Sequence, residues 1–537
     1  MKTNNVKGSK LTILMLLALL VAAVALTSCG RDGDGGSDVV SGGDREVINV
    51  TFNAVDFGHF NPQDDEIAAY ILERFGLNVE FTNIDGFIGM VPILAAADDL
   101  PDVFYLQPLH QVADYLQLLS QGFFAPIPQE MLDRYPNVRQ VVETSNLAHY
   151  TYRIFGGHYT LPKPDSLDRD LFVADRRGIF YRRDWAAQFG IYETPRTVEE
   201  FYDMLWHFTF SNPDGRENTW GLSTPGGGEM RWFFYQWDVD PFNWVELPDG
   251  TWTHGMLVPE MIEPLRFFRR LWDDGILDPE FGQLNHVDVM TKFASHTVGA
   301  ITRNADTDWI HAVFNEQFGA ANPDLDQYEV VGLIPLLALD ANTDPIAPGY
   351  LLDMTSNQFN ANISPEAMDR FLEFYNWALS PEGRRMTLGI EGRDWEFAAD
   401  GRIEAILTPD GLFPNIMELY PSARLLTMVT WGFELHADFT WPNQRYGVHA
   451  DRVRQINYEA RTARNPYAMI PAMAPRLIVT PAKLEADSFP FGRATIDIVM
   501  GTAPVEDMWE AMVEEAMALG FRQAIIDVTE WMNENIN

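Results

Sequence analysis

Residues 46–83 read EVINVTFNAVDFGHFNPQDDEIAAYILERFGLNVEFTN, and the fold turns on how this stretch divides. Glu46 to Ala54 has the β-branched alternation of a strand. Glu66 to Phe75 repeats apolar residues at i, i+3 and i+4, as a helix does, and Gly76 stops it. Leu77 to Asn83 is then a second strand, and Asp102 to Leu106 (DVFYL), after the breaker Pro101, is a third. A helical stretch from His110 to Ser120 follows. Strands alternating with helices at this spacing predict an α/β fold, a mostly parallel sheet flanked by helices. Ligands of such sheets sit beyond the carboxyl ends of the strands, which here means the loops Asp56 to Phe60 and Tyr105 to Pro108.

Farther along, Pro/Gly loops (Gly156-Gly157, Leu161 to Pro164, Pro213 to Gly215, Pro225 to Gly228) separate helical patterns at Thr197 to Thr209, Pro259 to Asp274 and Pro365 to Leu379. The tail from Val505 to Asn537 holds two amphipathic helices parted at Gly520, and no repeat of 20 to 50 residues is visible. Hydrophobic residues make up 46% of the 537 and charged ones 21%, enough core for two or three domains. The 77 Asp and Glu against 38 Lys and Arg give a formal charge of −39, which excludes a binder that gains affinity by neutralising nucleic-acid phosphates. With one cysteine there is no intramolecular disulfide and no Cys-built metal site.

Lys2, Lys7 and Lys10 precede an apolar run, Leu11 to Leu26, that is short for a bilayer span. Leu26-Thr27-Ser28-Cys29 follows, and it looks like a bacterial lipobox, whose cysteine is acylated after cleavage. The other reading is an ordinary signal peptide that ends near a cysteine. Cleavage before Cys29 would remove three lysines and no acid, making the remainder more negative by three charges. Residues 30–45 (GRDGDGGSDVVSGGDR) are too poor in apolar groups to bury a core and read as a flexible tether. The expected order is signal peptide 1–28, lipidated Cys29 and linker 29–45, then a body presented on the extracytoplasmic face of the cell membrane.

Several segments, in order, resemble the family 1 extracellular solute-binding proteins of ABC importers, above all the larger branch of oligosaccharide and alginate binders. They are LAAADDLPDVFYL (Leu94 to Leu106), HYTLP (His158 to Pro162), IFYRRDWAAQFGIYETP (Ile179 to Pro195) with TVEEF after it, LWDDGILDPEF (Leu271 to Phe281), FASHTVGA (Phe293 to Ala300) and SPEGRRMTLGIEGRDW (Ser380 to Trp395). The resemblance runs over residues 48–537. It implies a two-lobed periplasmic-binding-protein-like fold of type II, with residues 46–173 and 346–395 in one lobe and 178–345 and 396–537 in the other. The chain would cross near Val173 to Gly178, near Asp344 to Tyr350 and near Trp395, and the lobes would close on ligand and present it to a permease. Some members carry a calcium loop; the matching stretch, Asn212 to Gly221, has Arg216 and Trp220 where oxygen ligands would be wanted, so a plain turn is the better reading.

Aromatic residues make up 13%, with 15 Trp and 18 Tyr, and sugar rings stack their CH faces on such platforms. The candidate platforms are Trp232, Trp237, Trp309, Trp395 and Trp431. Trp185 and Trp377 lie on helices and are expected in the core. Candidate polar partners are Asp56, His59, Tyr105, Gln107, Arg303, Asn304, Arg393 and Asp394. Basic side chains of the body are almost all Arg, which binds carboxylates bidentately and so permits a uronate ligand. No HExxH, GxSxG or GxGxxG motif occurs, and the 11 His show no metal-ligand spacing. The expectation is a monomeric carrier, not an enzyme, with no catalytic residue, cofactor or metal; its partners are an oligosaccharide, the ABC permease and, through Cys29, the membrane. A binder of peptides or another small metabolite, and a secreted polysaccharide-cleaving enzyme, are the other readings.

Overall fold

The helix Glu66–Phe75 forms where its sequence pattern places it, and both ends have identifiable stops. Asp65 caps it, its carboxylate accepting the N–H groups of Ile67 and Ala68 at 2.9 and 3.0 Å. Gly76 closes it in the left-handed region, at φ 58°, with its N–H on Leu72 O at 2.8 Å. The helix buries Ile67, Ile71 and Phe75 against the strands on either side of it in sequence. These observations come from a computed structural model that describes residues 45–535 apart from 54–64, 83, 85–86, 107–111, 164–176, 349–354, 400, 402, 410–415, 430–448, 465, 467 and 470–473. All described residues lie in one compact unit, Asp44–Asn537.

In chain order the strands are β1 (Ile48–Asn53), β2 (Leu77–Thr82), β3 (Val103–Leu106), β4 (Phe124–Ala125), β5 (Leu161–Pro162), β6 (Arg177–Arg182), β7 (Trp220–Ser223), β8 (Trp244–Glu246), β9 (Trp252–His254), β10 (Val298–Asn304), β11 (Val331–Ile334), β12 (Ala347–Pro348) and β13 (Ser356–Asn360). Two larger sheets organise them. The first has the order β2-β1-β3-β13-β4, with β5 also on β13; the second has the order β11-β6-β10-β7. β1 pairs parallel with β2 and β3, while β13 runs antiparallel to β3, β4 and β5. β10 pairs parallel with β7, while β6 runs antiparallel to β10 and β11. Each sheet is therefore parallel except for one reversed strand.

The reversed strands are the ones the chain meets on changing sheets. It leaves the first sheet at the carboxyl end of β5 and joins the second through β6; it leaves the second at the carboxyl end of β11 and returns through β13. A chain that departs from the carboxyl ends of one sheet and arrives at the carboxyl ends of the other must run its first new strand away from that edge. The reversals thus put the strand ends that flank these two passages at the edge where ligands of parallel sheets bind.

The second sheet is buried on both faces, as parallel sheets are. Along β6, Ile179 and Tyr181 enter a cluster with Trp185, Phe201 and Phe268, while Phe180 between them enters another with Ile301 and Phe314. Trp185 is 0% exposed and Trp377 6%, both in core as expected. The first sheet's cluster joins Val50, Phe52, Val103 and Phe359 to the helix Pro365–Ala378. It also takes in Ile416 to Val429, because the single Tyr375 hydroxyl proton is shared between Val429 O and Pro162 O, both at 2.9 Å, and Asn357 Nδ2 donates to Met428 O at 3.1 Å. The chain is still packed with the first sheet at Val429, beyond Trp395, and it is with the second sheet again by Val453 and Ile456. The tail helices Val505–Ala516 and Arg522–Asn535, parted by Gly520 at φ 140°, pack Trp509, Met512, Phe521 and Val528 into the second lobe's core. No helix among the described residues is long and apolar enough to cross a membrane.

Candidate binding site

At the carboxyl edge of the second sheet β6 begins with Arg177 and β10 ends with Arg303 and Asn304, and Arg177 lies opposite Asn304 in the pairing. Glu229, on the short helix Gly226–Met230 that follows β7, takes Arg177 in two contacts, Nε to Oε2 at 2.9 Å and Nη2 to Oε1 at 3.4 Å. His286 Nε2 approaches the same carboxylate at 3.8 Å. Thr302 donates its hydroxyl to Thr224 Oγ1 at 2.9 Å, tying β10 to the end of β7 inside the sheet. Asp306 caps the next helix by accepting the Trp309 N–H at 3.1 Å. That helix places the Trp309 indole against Arg303, whose guanidinium carbon lies 3.3 Å from the ring centroid.

Electrostatics here follow from burial. Desolvation pushes the Arg303 guanidinium down to about 10, with Glu229 and Asp306 opposing and Arg177 adding to the shift. Burial also lowers His286, and the Arg303 charge lowers it further. At neutral pH the cluster is thus two arginines, a neutral histidine, Glu229 and Asp306.

The first sheet presents a different edge. Asn53, fully buried at the end of β1, accepts from Thr82 Oγ1 at 3.3 Å and from the Ile84 N–H at 3.1 Å, and its Nδ2 has no partner among the described residues. Tyr105, 4% exposed, lies opposite Asn357 at the end of β3, and the buried Lys163 ammonium stands 5.4 Å from its ring centroid. Asp56, His59, Gln107, Trp431 and Cys29 lie outside the described residues.

The remaining candidates divide. Arg303, Asn304 and Trp309 come together. Arg393, Asp394 and Trp395 form a second group, beside the helix Glu66–Phe75. Arg393 pairs with Glu66 at 2.8 Å, Asp394 accepts the Ile390 N–H at 2.7 Å and the Tyr420 hydroxyl at 2.9 Å, and the Trp395 indole donates to Gly389 O at 3.2 Å. Trp232 is 2% exposed and packs edge-on against Phe233 in the core. Trp237 is partly buried on Phe267 at 5.5 Å. Both belong to the turn Arg231–Trp237, whose Gln236 reaches Ile346 O at 3.4 Å, in the second passage between the sheets. Glu229, Arg177, Thr307 and Lys163 were not singled out from sequence; Glu229 and Arg177 are 52 positions apart and no local pattern links them.

The Asn212–Gly221 stretch does not fit calcium. Asn212, Asp214 and Asn218 adopt φ of 51°, 55° and 63°, so the loop is a tight turn. Asp214 Oδ2 accepts the Trp185 indole N–H at 2.7 Å and an Arg182 N–H at 3.4 Å, and Oδ1 accepts Gln188 Nε2 at 2.6 Å. Protein donors, one of them a buried guanidinium, fill the carboxylate that a cation would need. Among the described residues no group of three or more His, Cys, Asp or Glu is arranged to hold a metal ion.

No family model matches the chain. It is 22% identical over 303 residues to the polygalacturonan/rhamnogalacturonan-binding protein YtcQ of Bacillus subtilis (strain 168), covering 55% of this chain and 58% of that protein. It is 23% identical over 289 residues to lipoprotein LipO of the same organism, covering 50% and 52%. The chain spans about half the length of these curated relatives. Among solved structures, an extracellular solute-binding protein from Bifidobacterium longum subsp. infantis matches with TM-score 0.66 at 14% identity, covering 91% of this chain and 99% of that one. FusA of S. pneumoniae in complex with kestose, an ABC-transporter substrate-binding protein, matches with TM-score 0.62 at 13% identity, covering 91% and 99%. The alginate-binding protein AlgQ2, solved without calcium ion, matches with TM-score 0.61 at 15% identity, covering 90% and 98%. These neighbours are binding proteins rather than enzymes. The chain therefore has the two-lobed α/β fold of these ABC-transporter solute-binding proteins.

Proposed function

We propose that the protein is a lipid-anchored receptor on the extracytoplasmic face that captures an oligosaccharide between two lobes and hands it to an ABC permease without cleaving it. The observation that carries this is topological: the passages after β5 and after β11 leave from strand carboxyl ends, so the ligand edges of the two sheets are joined by connections that would act as hinge. The names of YtcQ, FusA and AlgQ2 supply the carbohydrate class, and LipO, together with the single cysteine at position 29, supplies the anchor. We place residues 46–173 and 346–429 in the first lobe, extending it beyond Trp395 because Ile416 to Val429 pack there, and 178–345 with 449–535 in the second, from which Leu477 and Trp531 also pack against Tyr150 of the first.

The test is a thermal-shift panel of neutral oligosaccharides, uronate oligomers and peptides, with chromatography of each mixture afterwards. A ligand that binds only the native state raises Tm by mass action. The reading expects a shift with a glycan that is recovered intact. A shift with peptides alone, or recovery of shortened glycan, contradicts it.

A further inference from the structure

Arg303 is 5% exposed, yet among the described residues its side chain makes no hydrogen bond and no ion pair, and its Nε is buried without an acceptor. The carboxylates nearest to it are committed elsewhere: Glu229 holds Arg177, and Asp306 caps the helix that carries Trp309. Thr307 beside them is 6% exposed, and its hydroxyl also lacks a partner. A buried cation whose counter-charges make no hydrogen bond to it is disfavoured, so a site that keeps one is completed by something from outside the chain. The Trp309 indole covers one face of the guanidinium and leaves its two Nη groups, at the edge, without an acceptor among the described residues. That edge matches the two oxygens of a carboxylate. The rest of the molecule argues for a local device too. A chain of formal charge −39 repels an acidic ligand, and only a cation held close can offset that.

We infer that Arg303 reads the carboxylate of a uronic acid residue, bidentately and with the Thr307 hydroxyl beside it, and that Trp309 positions the guanidinium instead of offering that face to a sugar ring. This rests on the oligosaccharide-receptor reading and deepens it by naming the acid group and where it binds.

The probes are trigalacturonate and its methyl ester, which share length and linkage and differ in charge. Calorimetric titration of the unsubstituted protein is expected to give at least tenfold tighter binding of the acid. Arg303→Met is expected to abolish that preference by weakening the acid at least tenfold more than the ester, and Arg303→Lys to restore part of it. The Tm of ligand-free Arg303→Met is expected to equal or exceed that of the unsubstituted protein, because a buried unpaired charge has been removed. A residue with a purely structural role would lower it. Equal binding of acid and ester by the unsubstituted protein, or equal loss of both in Arg303→Met, overturns the inference. If the protein binds neutral glycans and neither trigalacturonate probe, the inference fails and the receptor reading stands; if it binds no glycan at all, both fail.

Discussion

Single side chains decide three questions in this protein, and each can be tested by substitution. Trp309 carries the Arg303 guanidinium on its face, a contact that contributes on the order of 1 kcal/mol. Trp309→Ala is therefore expected to weaken glycan binding several-fold while the protein still folds, as read by titration beside circular dichroism; unchanged affinity would make the indole mere scaffold. Asp214 spends its carboxylate on Trp185, Gln188 and Arg182. Asp214→Ala should lower stability by about 1.5–3 kcal/mol in denaturant titrations, the range for hydrogen bonds to a charged group, and millimolar calcium should not move the Tm of the parent protein. A calcium-dependent rise would mean that the turn opens to the ion.

His254 gives the pH dependence. It is buried, stacked on Phe491 at 4.6 Å between ring centroids, with its Nδ1 accepting the Met256 N–H at 3.2 Å. Burial first, then the Arg231, Lys483 and Arg476 charges, holds its folded pKa down at about 3. Because the folded value is below the ordinary 6.5, the unfolded chain takes up a proton between those values that the folded protein refuses. Stability is therefore kept above about pH 6.5 and falls as the pH drops, at about 1.4 kcal/mol per pH unit for this one group. His254→Asn, which retains an acceptor, should flatten that acid slope by about one proton; identical slopes between pH 6.5 and 5 would contradict the assignment.

At the scale of elements, caps and passages matter more than propensity. Asp65 not only caps the helix Glu66–Phe75 but accepts the Ser422 N–H at 2.7 Å, so it pins a segment 357 residues away to the first sheet. Asp65→Ala should lower stability by about 1–2 kcal/mol and raise hydrogen exchange in both places. Loss confined to the helix would show that the long-range tie carries nothing. This element also marks what the sequence makes legible. The helix Glu66–Phe75 could be read because its apolar period and its stop at Gly76 are local properties. The reversals of β6 and β13 could not, since strand direction depends on which sheet the chain has come from and leaves no trace in alternation. For the same reason Arg303 and Trp309 were visible as neighbours in sequence, whereas the Arg177–Glu229 pair that leaves Arg303 without a hydrogen-bonded carboxylate emerges only when β6 and the helix after β7 meet. The burial of Trp232 was hidden too, because an aromatic-rich stretch reads alike whether it faces a cleft or a core.

Over the whole molecule the charge is large and one-sided. An acidic glycan approaching a chain of −39 meets a repulsive field that salt screens, with a Debye length of about 10 Å at 0.1 M. Stopped-flow association of trigalacturonate should therefore speed up between about 10 and 150 mM salt, while a neutral trisaccharide shows no trend. Slower association with salt would mean that a positive region dominates the approach. The central claim is that two lobes take up an intact glycan. It is tested most directly by titrating the protein calorimetrically with pectin-derived oligomers and then recovering the ligand for mass spectrometry. The account predicts saturable binding of one oligomer per chain with the oligomer recovered at its original length; no binding to any glycan, or recovery of cleaved product, would contradict it.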